Sequence, residues 1–126
     1  MNIENTQVQM RKGILEFCIL HIISRGEIYA SDILKELKDA KIIVVEGTLY
    51  PLLTRLRKAD LLAYNWKESK LGPPQKHYTL TEKGNEFLQK LNITWNELVA
   101  STNKIIQNKR ESIEIPTLEE IKLKKQ

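Results

Sequence analysis

Apolar residues recur at helical spacing in four stretches of the chain, and two short runs between the third and fourth alternate like strands. In the first stretch, roughly Thr6 to Ser24, Met10, Ile14, Leu15, Phe17, Cys18, Leu20, His21 and Ile23 cover more than one face. A mostly buried helix is expected there. Arg25-Gly26-Glu27 ends it, with Gly26 suited to the left-handed position past a helix end. A short bridge, Ile28-Tyr29-Ala30, leads to Ser31, which is placed to cap a second helix running to about Ala40. Ile33, Leu34 and Leu37 form its apolar stripe. The β-branched run Ile42-Ile43-Val44-Val45 resists helix and reads as an extended connector. A third helix, from about Gly47 to Asp60, has Pro51 in its first turn, where a missing N–H costs little. Leu49, Leu52, Leu53 and Leu56 face inward. Thr48, Tyr50, Thr54, Arg55, Arg57 and Lys58 face out.

The alternating runs 61–67 and 76–80 predict a hairpin. The Gly/Pro-rich segment between them, 68–75, reads as a loop too long for a tight turn. Thr81 then caps a long helix, Glu82 to about Lys109, roughly 40 Å at ~1.5 Å per residue. Leu88, Leu91, Trp95, Leu98, Thr102 and Ile105 repeat along it in steps of 3 and 4, a heptad seam that predicts helix–helix contact. Pro116 blocks further continuation, and Thr117-Leu118-Glu119-Glu120 opens either a short capped helix or a frayed, charged terminus. The resulting division is 1–81 for a three-helix and hairpin domain, 82–110 for a dimerisation helix, and 111–126 for a charged tail. The expected fold class is mainly α with a small β-hairpin: a winged helix-turn-helix plus a long C-terminal helix.

Charge and composition narrow the function. The chain has 126 residues, with 20 Lys and Arg against 16 Asp and Glu, for a formal net charge of +4. This excess is mild, so the placement of the cations matters more than their sum. One cysteine, Cys18, rules out an intramolecular disulfide and points to a reducing compartment. The N-terminus has no signal-peptide pattern, and no window reaches the ~18–20 apolar residues that span a bilayer. A cytoplasmic location without membrane contact is expected, with Asn92-Ile93-Thr94 unglycosylated. Cys18 and His21 fall short of a four-ligand zinc site, and His21 reads as a satisfied core histidine. The chain has no P-loop, dinucleotide fingerprint, nucleophile elbow or HExxH helix. Neither an enzyme, a metal nor a cofactor is expected.

The remaining chemistry belongs to the third helix and the hairpin. In a helix-turn-helix, the second helix of the pair lies in the DNA major groove with its outward residues near base edges. Here that helix carries hydroxyls and cations: Thr48, Tyr50, Thr54, Arg55, Arg57 and Lys58. The hairpin adds Lys67, Lys70 and Lys76 beside a Gly-Pro-Pro tip, positive charge suited to backbone phosphates. Double-stranded DNA is therefore the expected partner. The competing reading is a winged helix used as a protein-interaction module, which salt distinguishes, because phosphate contacts weaken steeply as salt rises.

The run Gly47-Thr48-Leu49-Tyr50-Pro51-Leu52-Leu53-Thr54-Arg55-Leu56, with Ala59-Asp60-Leu61-Leu62, resembles the hallmark of PadR-like transcriptional regulators. Lys76-His77-Tyr78-Thr79-Leu80-Thr81-Glu82-Lys83-Gly84 is similar to the second hallmark of that family. The resemblance spans about the first 105 residues and implies a homodimeric repressor on a palindromic operator. It also implies DNA contacts through Tyr50, Arg55 and basic wing residues. Two places depart from the pattern: Ala59-Asp60, where a Gly often follows an acidic or Lys residue, and Pro73-Pro74, in place of a Gly/Arg-rich tip. Length and Thr94-Trp95-Asn96 resemble a short, multidrug-responsive branch in which paired indoles sandwich flat aromatic compounds and release the operator. By that resemblance Trp95, with Ile14, Phe17 and Cys18 on the first helix, is the candidate site for an aromatic effector. Leu88, Leu91, Trp95, Leu98 and Ile105 are the candidate dimer interface.

Overall fold

A computed structural model describes residues 1–108 and 115–124 of the chain. Helix α1 spans Ile3–Ser24, starting before the apolar pattern does because Asn2 caps it. The Asn2 side chain accepts from the backbone N–H of Glu4 at 2.8 Å and of Asn5 at 3.3 Å. The expectation of a mostly buried first helix is corrected. Only Leu15, Ile19, Leu20 and Ile23 are buried, and residues 1–13 are exposed. Gly26 ends the helix at φ +135°, a conformation open to glycine and strained for other residues.

The segment read as a bridge is a strand. β1, Ile28–Tyr29, pairs antiparallel with β3, Gly72–Leu80, through Ile28↔Tyr78 and Tyr29↔His77. Helix α2, Ala30–Asp39, follows without a break, so Ser31 lies inside its first turn and does not cap it. Tyr29 is already extended by the strand pairing and takes the capping position, with no side-chain hydrogen bond.

Helix α3 spans Glu46–Lys58. Pro51 falls in its second turn, one turn later than expected. The Gly47 carbonyl therefore loses its usual donor, and Gly47 is exposed, where water can replace it. Helices α2 and α3 end alike. After α2, the N–H of Lys41 donates to Lys38 and that of Ile42 to Leu37. After α3, Asp60 donates to Arg57 and Leu61 to Leu56. Lys41 and Asp60 have φ of 64° and 63°, so both ends are Schellman motifs with a residue other than glycine in the left-handed position.

Strand β2, Leu62–Ser69, pairs with β3 in a sheet of order β1-β3-β2. The segment 68–75 is not a long loop. Ser69 pairs with Gly72, so the turn is the two residues Lys70 and Leu71. Lys67 pairs with Gln75, and the register shifts between Lys67 and Ser69. Pro73 and Pro74 consequently face the single residue Glu68. A bulge is one of the few strand positions that tolerates residues without an N–H.

Helix α4, Glu82–Gln107, begins at Thr81, whose Oγ1 accepts from the Gly84 N–H at 2.9 Å. Helix α5 spans Leu118–Lys124. Thr117 and Glu120 close a capping box there, Glu120 N–H to Thr117 Oγ1 at 3.2 Å and Thr117 N–H to Glu120 Oε2 at 3.3 Å. The rest of the tail, with the expected helix end near Lys109, lies outside the described residues.

The chain divides into two compact units, Met1–Asn92 and Ile93–Gln126. The division falls within α4, whereas the sequence places a boundary at 81/82, where that helix begins. In the first unit Ile19, Leu20, Ile23, Ile33, Leu37, Leu49, Leu53 and Leu62 are fully buried. Each contributes about 1.5–3 kcal/mol of apolar burial. Leu88, expected at a dimer interface, is 4% exposed and belongs to this core. It has almost no surface left to give a partner. Leu91, half-buried, packs against the same core. No helix among the described residues is long and apolar enough to cross a membrane.

Candidate nucleic-acid interface

The packing of α3 fixes which of its residues look out. Leu49, Leu53 and Leu56 recur every three or four residues and are buried. At about 100° per residue, Gly47, Pro51, Thr54 and Lys58 lie on the opposite side. All four are exposed. Tyr50 and Arg57 flank that face toward the hairpin. Thr48 and Arg55 flank it toward α1. Glu46, at the first position, is the one carboxylate on the helix.

The six candidates on this helix are therefore all exposed but not equivalent. Thr54 and Lys58 hold the open face. The Arg57 guanidinium lies 5.8 Å from the Tyr64 ring centroid. Arg55 is ion-paired with Glu16 of α1, a partner the sequence reading did not supply.

The three hairpin lysines also differ. Lys70 sits in the two-residue turn and is exposed. Lys76 leans on aromatic faces, its Nζ 4.4 Å from the Tyr64 centroid and 5.3 Å from that of Trp66. This arrangement follows from register. Tyr64 and Trp66 share one face of β2, and Trp66 is directly opposite Lys76. Lys67 is ion-paired with Glu27, just ahead of β1. The Lys67 ammonium holds the Glu27 carboxyl below its usual value of 4.5, and His77 adds to the effect. His77 Nδ1 lies 3.5 Å from Glu27 Oε2, and the ring meets Tyr29 edge-on at 3.6 Å between centroids.

Between α3 and the hairpin lies a cleft of about 350 Å³, lined by Tyr50, Thr54, Trp66, Gln75, Lys76 and Tyr78 among others. Trp66, absent from the sequence candidates, is 61% exposed here. Its signal was the Tyr64/Trp66 alternation, which puts both rings on one side of a strand. Burial raises the Tyr78 hydroxyl above the usual phenol range, and nearby Tyr50 and Tyr64 reinforce this. The cleft joins hydroxyl, amide, cation and ring faces, a mixture suited to a sugar-phosphate backbone and base edges.

Among the effector candidates, Ile14, Phe17 and Cys18 are partly buried on α1. Phe17 and Cys18 border a hollow of about 220 Å³ with His21 and Ile22. Burial pushes the Cys18 thiol up. His21 is exposed, not a core residue, and its Nε2 is hydrogen-bonded to Asn92 Oδ1 at 2.6 Å. Phe17 meets its ring edge-on at 4.8 Å. Trp95 belongs to the second unit and is 40% exposed. Among the described residues no group of three His, Cys, Asp or Glu is placed to hold a metal ion.

Residues 19–90 match the transcriptional regulator PadR-like family. A PadR-like transcription factor from Bacteroides fragilis is 55% identical, with a TM-score of 0.68 over 80% of this chain and 98% of that one. A PadR-like transcriptional regulator from Bacillus cereus is 40% identical, with a TM-score of 0.71 over 80% of this chain and 99% of that one. PadR from Bacillus subtilis, solved in complex with operator DNA, shares the fold at 18% identity. Its TM-score is 0.59 over 88% of this chain and 57% of that one. No curated protein matches the chain. The match covers α2, α3, the hairpin and the start of α4, and the chain belongs to the PadR-like family of transcriptional regulators.

Proposed function

We propose that the chain is a homodimeric repressor that binds a palindromic operator, with α3 in the major groove and the hairpin as its wing. The observation that carries this reading is the outward side of α3. Thr54 and Lys58 are open there, and Tyr50 turns toward a cleft that also holds Lys76. The operator complex of the Bacillus subtilis relative supports DNA as the partner. Thr48, Tyr50, Thr54, Arg55, Arg57 and Lys58 are assigned to DNA from the helix, Lys70 and Lys76 from the wing, with Arg55 held by Glu16 in the free protein. Lys67, tied to Glu27, braces the wing and contributes less to DNA.

Residues 1–81 form the DNA-binding part, and the helix that follows makes the dimer. Trp95, Leu98 and Ile105 keep the heptad seam beyond Leu91 and are exposed in the single chain. In a two-fold dimer each would meet its own mate or a near neighbour. Two α3 helices must lie one DNA turn apart, ~34–36 Å, to enter successive major grooves. A flat aromatic compound stacked on Trp95 at this seam would change that spacing and lower operator affinity. Ligand and DNA then oppose each other through one coupling free energy, which is reciprocal.

The stoichiometry of the complex tests this reading. Size-exclusion chromatography with light scattering on the protein and a duplex from the DNA upstream of its coding region should give two subunits per duplex. An operator affinity unchanged by a saturating aromatic dye that quenches Trp95 would remove the effector part. A single subunit per duplex would remove the dimer.

A further inference from the structure

The wing walls α3 on one side, and α1 walls it on the other. Between α1 and α3 opens a hollow of about 480 Å³. Lys12, Glu16, Thr48 and Arg55 supply its polar lining. Lys12 and Glu16 are four residues apart on α1, hence on one face of that helix. Glu16 is the one carboxylate among the lining residues, and it is ion-paired with Arg55. The two side chains differ in access: that of Arg55 is 67% exposed, that of Glu16 34%. The cation therefore stays within reach of solvent while the anion is largely covered. Gly47, at the start of α3, also borders the hollow, and the space beside its Cα is open.

A major groove about 12 Å wide has phosphates along both rims. With α3 in the groove, one rim runs beside the wing, where Arg57 and Lys76 stand. The other rim runs beside α1, at the hollow. A phosphodiester carries a single negative charge and accepts the same forked pair of hydrogen bonds from a guanidinium as a carboxylate does.

We propose that the hollow between α1 and α3 is a seat for a DNA backbone phosphate, formed by Lys12, Thr48 and Arg55, and that Glu16 takes the phosphate's place on Arg55 in the free protein. This rests on the DNA-binding reading above and adds a competitor built into the site. To bind any duplex, Arg55 exchanges Glu16 for phosphate. The exchange lowers affinity for every sequence alike, because phosphates carry no base information. An exposed ion pair sets the size of this effect, up to about fivefold in affinity.

Full-length Glu16→Gln and Lys12→Gln, compared with wild type by fluorescence anisotropy, test the assignment. Each is titrated onto an operator and a scrambled duplex across a salt series. Each phosphate that a cation neutralises steepens the fall of log affinity against log salt by about 0.9. Glu16→Gln should tighten both duplexes several-fold with their ratio unchanged. Lys12→Gln, on an exposed position that leaves the fold intact, should weaken both and flatten the slope by about that amount. Wild-type binding with neither variant moving affinity or slope would overturn the proposal, leaving Glu16 as a brace between two helices. Wild type that binds no duplex would overturn the DNA reading and this proposal together.

Discussion

A Cβ built on Gly84 would lie 2.0 Å from the carbonyl oxygen of Leu61, so the first turn of α4 and the chain leaving α3 pass at backbone distance. The approach is fastened from both sides. Thr81 Oγ1 donates to the Asp60 carbonyl at 2.6 Å, and the Thr81 N–H donates to that of Leu61 at 3.1 Å. Lys83 Nζ donates to the Ala59 carbonyl at 3.1 Å. The end of α3 and the first turn of α4 are thus fastened together as one joint.

Gly84→Ala should be destabilising, because the contacting atom is backbone and has no rotamer to yield. Overpacking of this kind costs about 1–3 kcal/mol. A urea melt checks it, with an unchanged midpoint contradicting the joint. Thr81→Ala, which removes the cap and the bond to Asp60, should cost about 0.5–2 kcal/mol.

Asp60→Gly should act in the opposite direction. Asp60 sits at φ 63° in the left-handed position of a Schellman motif, where glycine meets no Cβ penalty. The gain, offset by the larger entropy glycine loses on folding, is about 0.5–1 kcal/mol. A higher thermal midpoint with unchanged DNA affinity is expected. This also explains the sequence departure at Ala59-Asp60: the position calls for glycine, and aspartate is among the few residues that tolerate it.

Two leucines on one helical seam should separate cleanly. Leu88→Ala removes a core side chain and should cost about 2–5 kcal/mol of stability. Leu98→Glu alters an exposed position and should leave the fold intact while shifting the protein to monomer. Sedimentation velocity at several concentrations distinguishes them. A Leu98→Glu protein that remained dimeric would place the interface elsewhere.

The pairing of Glu27 with Lys67 makes wing anchoring sensitive to acid. The Glu27 pKa is lowered on folding, so its stabilising contribution is present above the usual carboxylate value of 4.5 and is lost as pH falls through the folded value. Glu27→Gln should therefore narrow the difference in urea midpoint between pH 7 and pH 3. Equal pH dependence in both proteins would show the pair to be energetically silent.

Much of this was legible in the sequence. The inward leucines of α3, its six outward candidates and the Thr81 cap follow from period and residue type alone. What escaped was set by partners distant in the chain. Two residues cannot show a period, so β1 was visible only through its pairing with His77 and Tyr78. Paired prolines read as a loop because the bulge that accommodates them needs Glu68 across the sheet. Leu88 fits the heptad as well as Leu98 does, and only the packed core tells them apart. Glu16 lies 39 residues before Arg55 on another helix, so no local pattern exposes their pairing.

Fluorescence anisotropy with a labelled upstream duplex, comparing wild type with Lys58→Glu and Thr54→Glu against a scrambled duplex, tests whether α3 enters the groove. Both positions are exposed on the outward face of α3. Tight, salt-sensitive, sequence-selective binding by wild type, lost in both variants while their melts are unchanged, is the predicted result. Selective binding that survives both substitutions would contradict the placement of α3 in the groove.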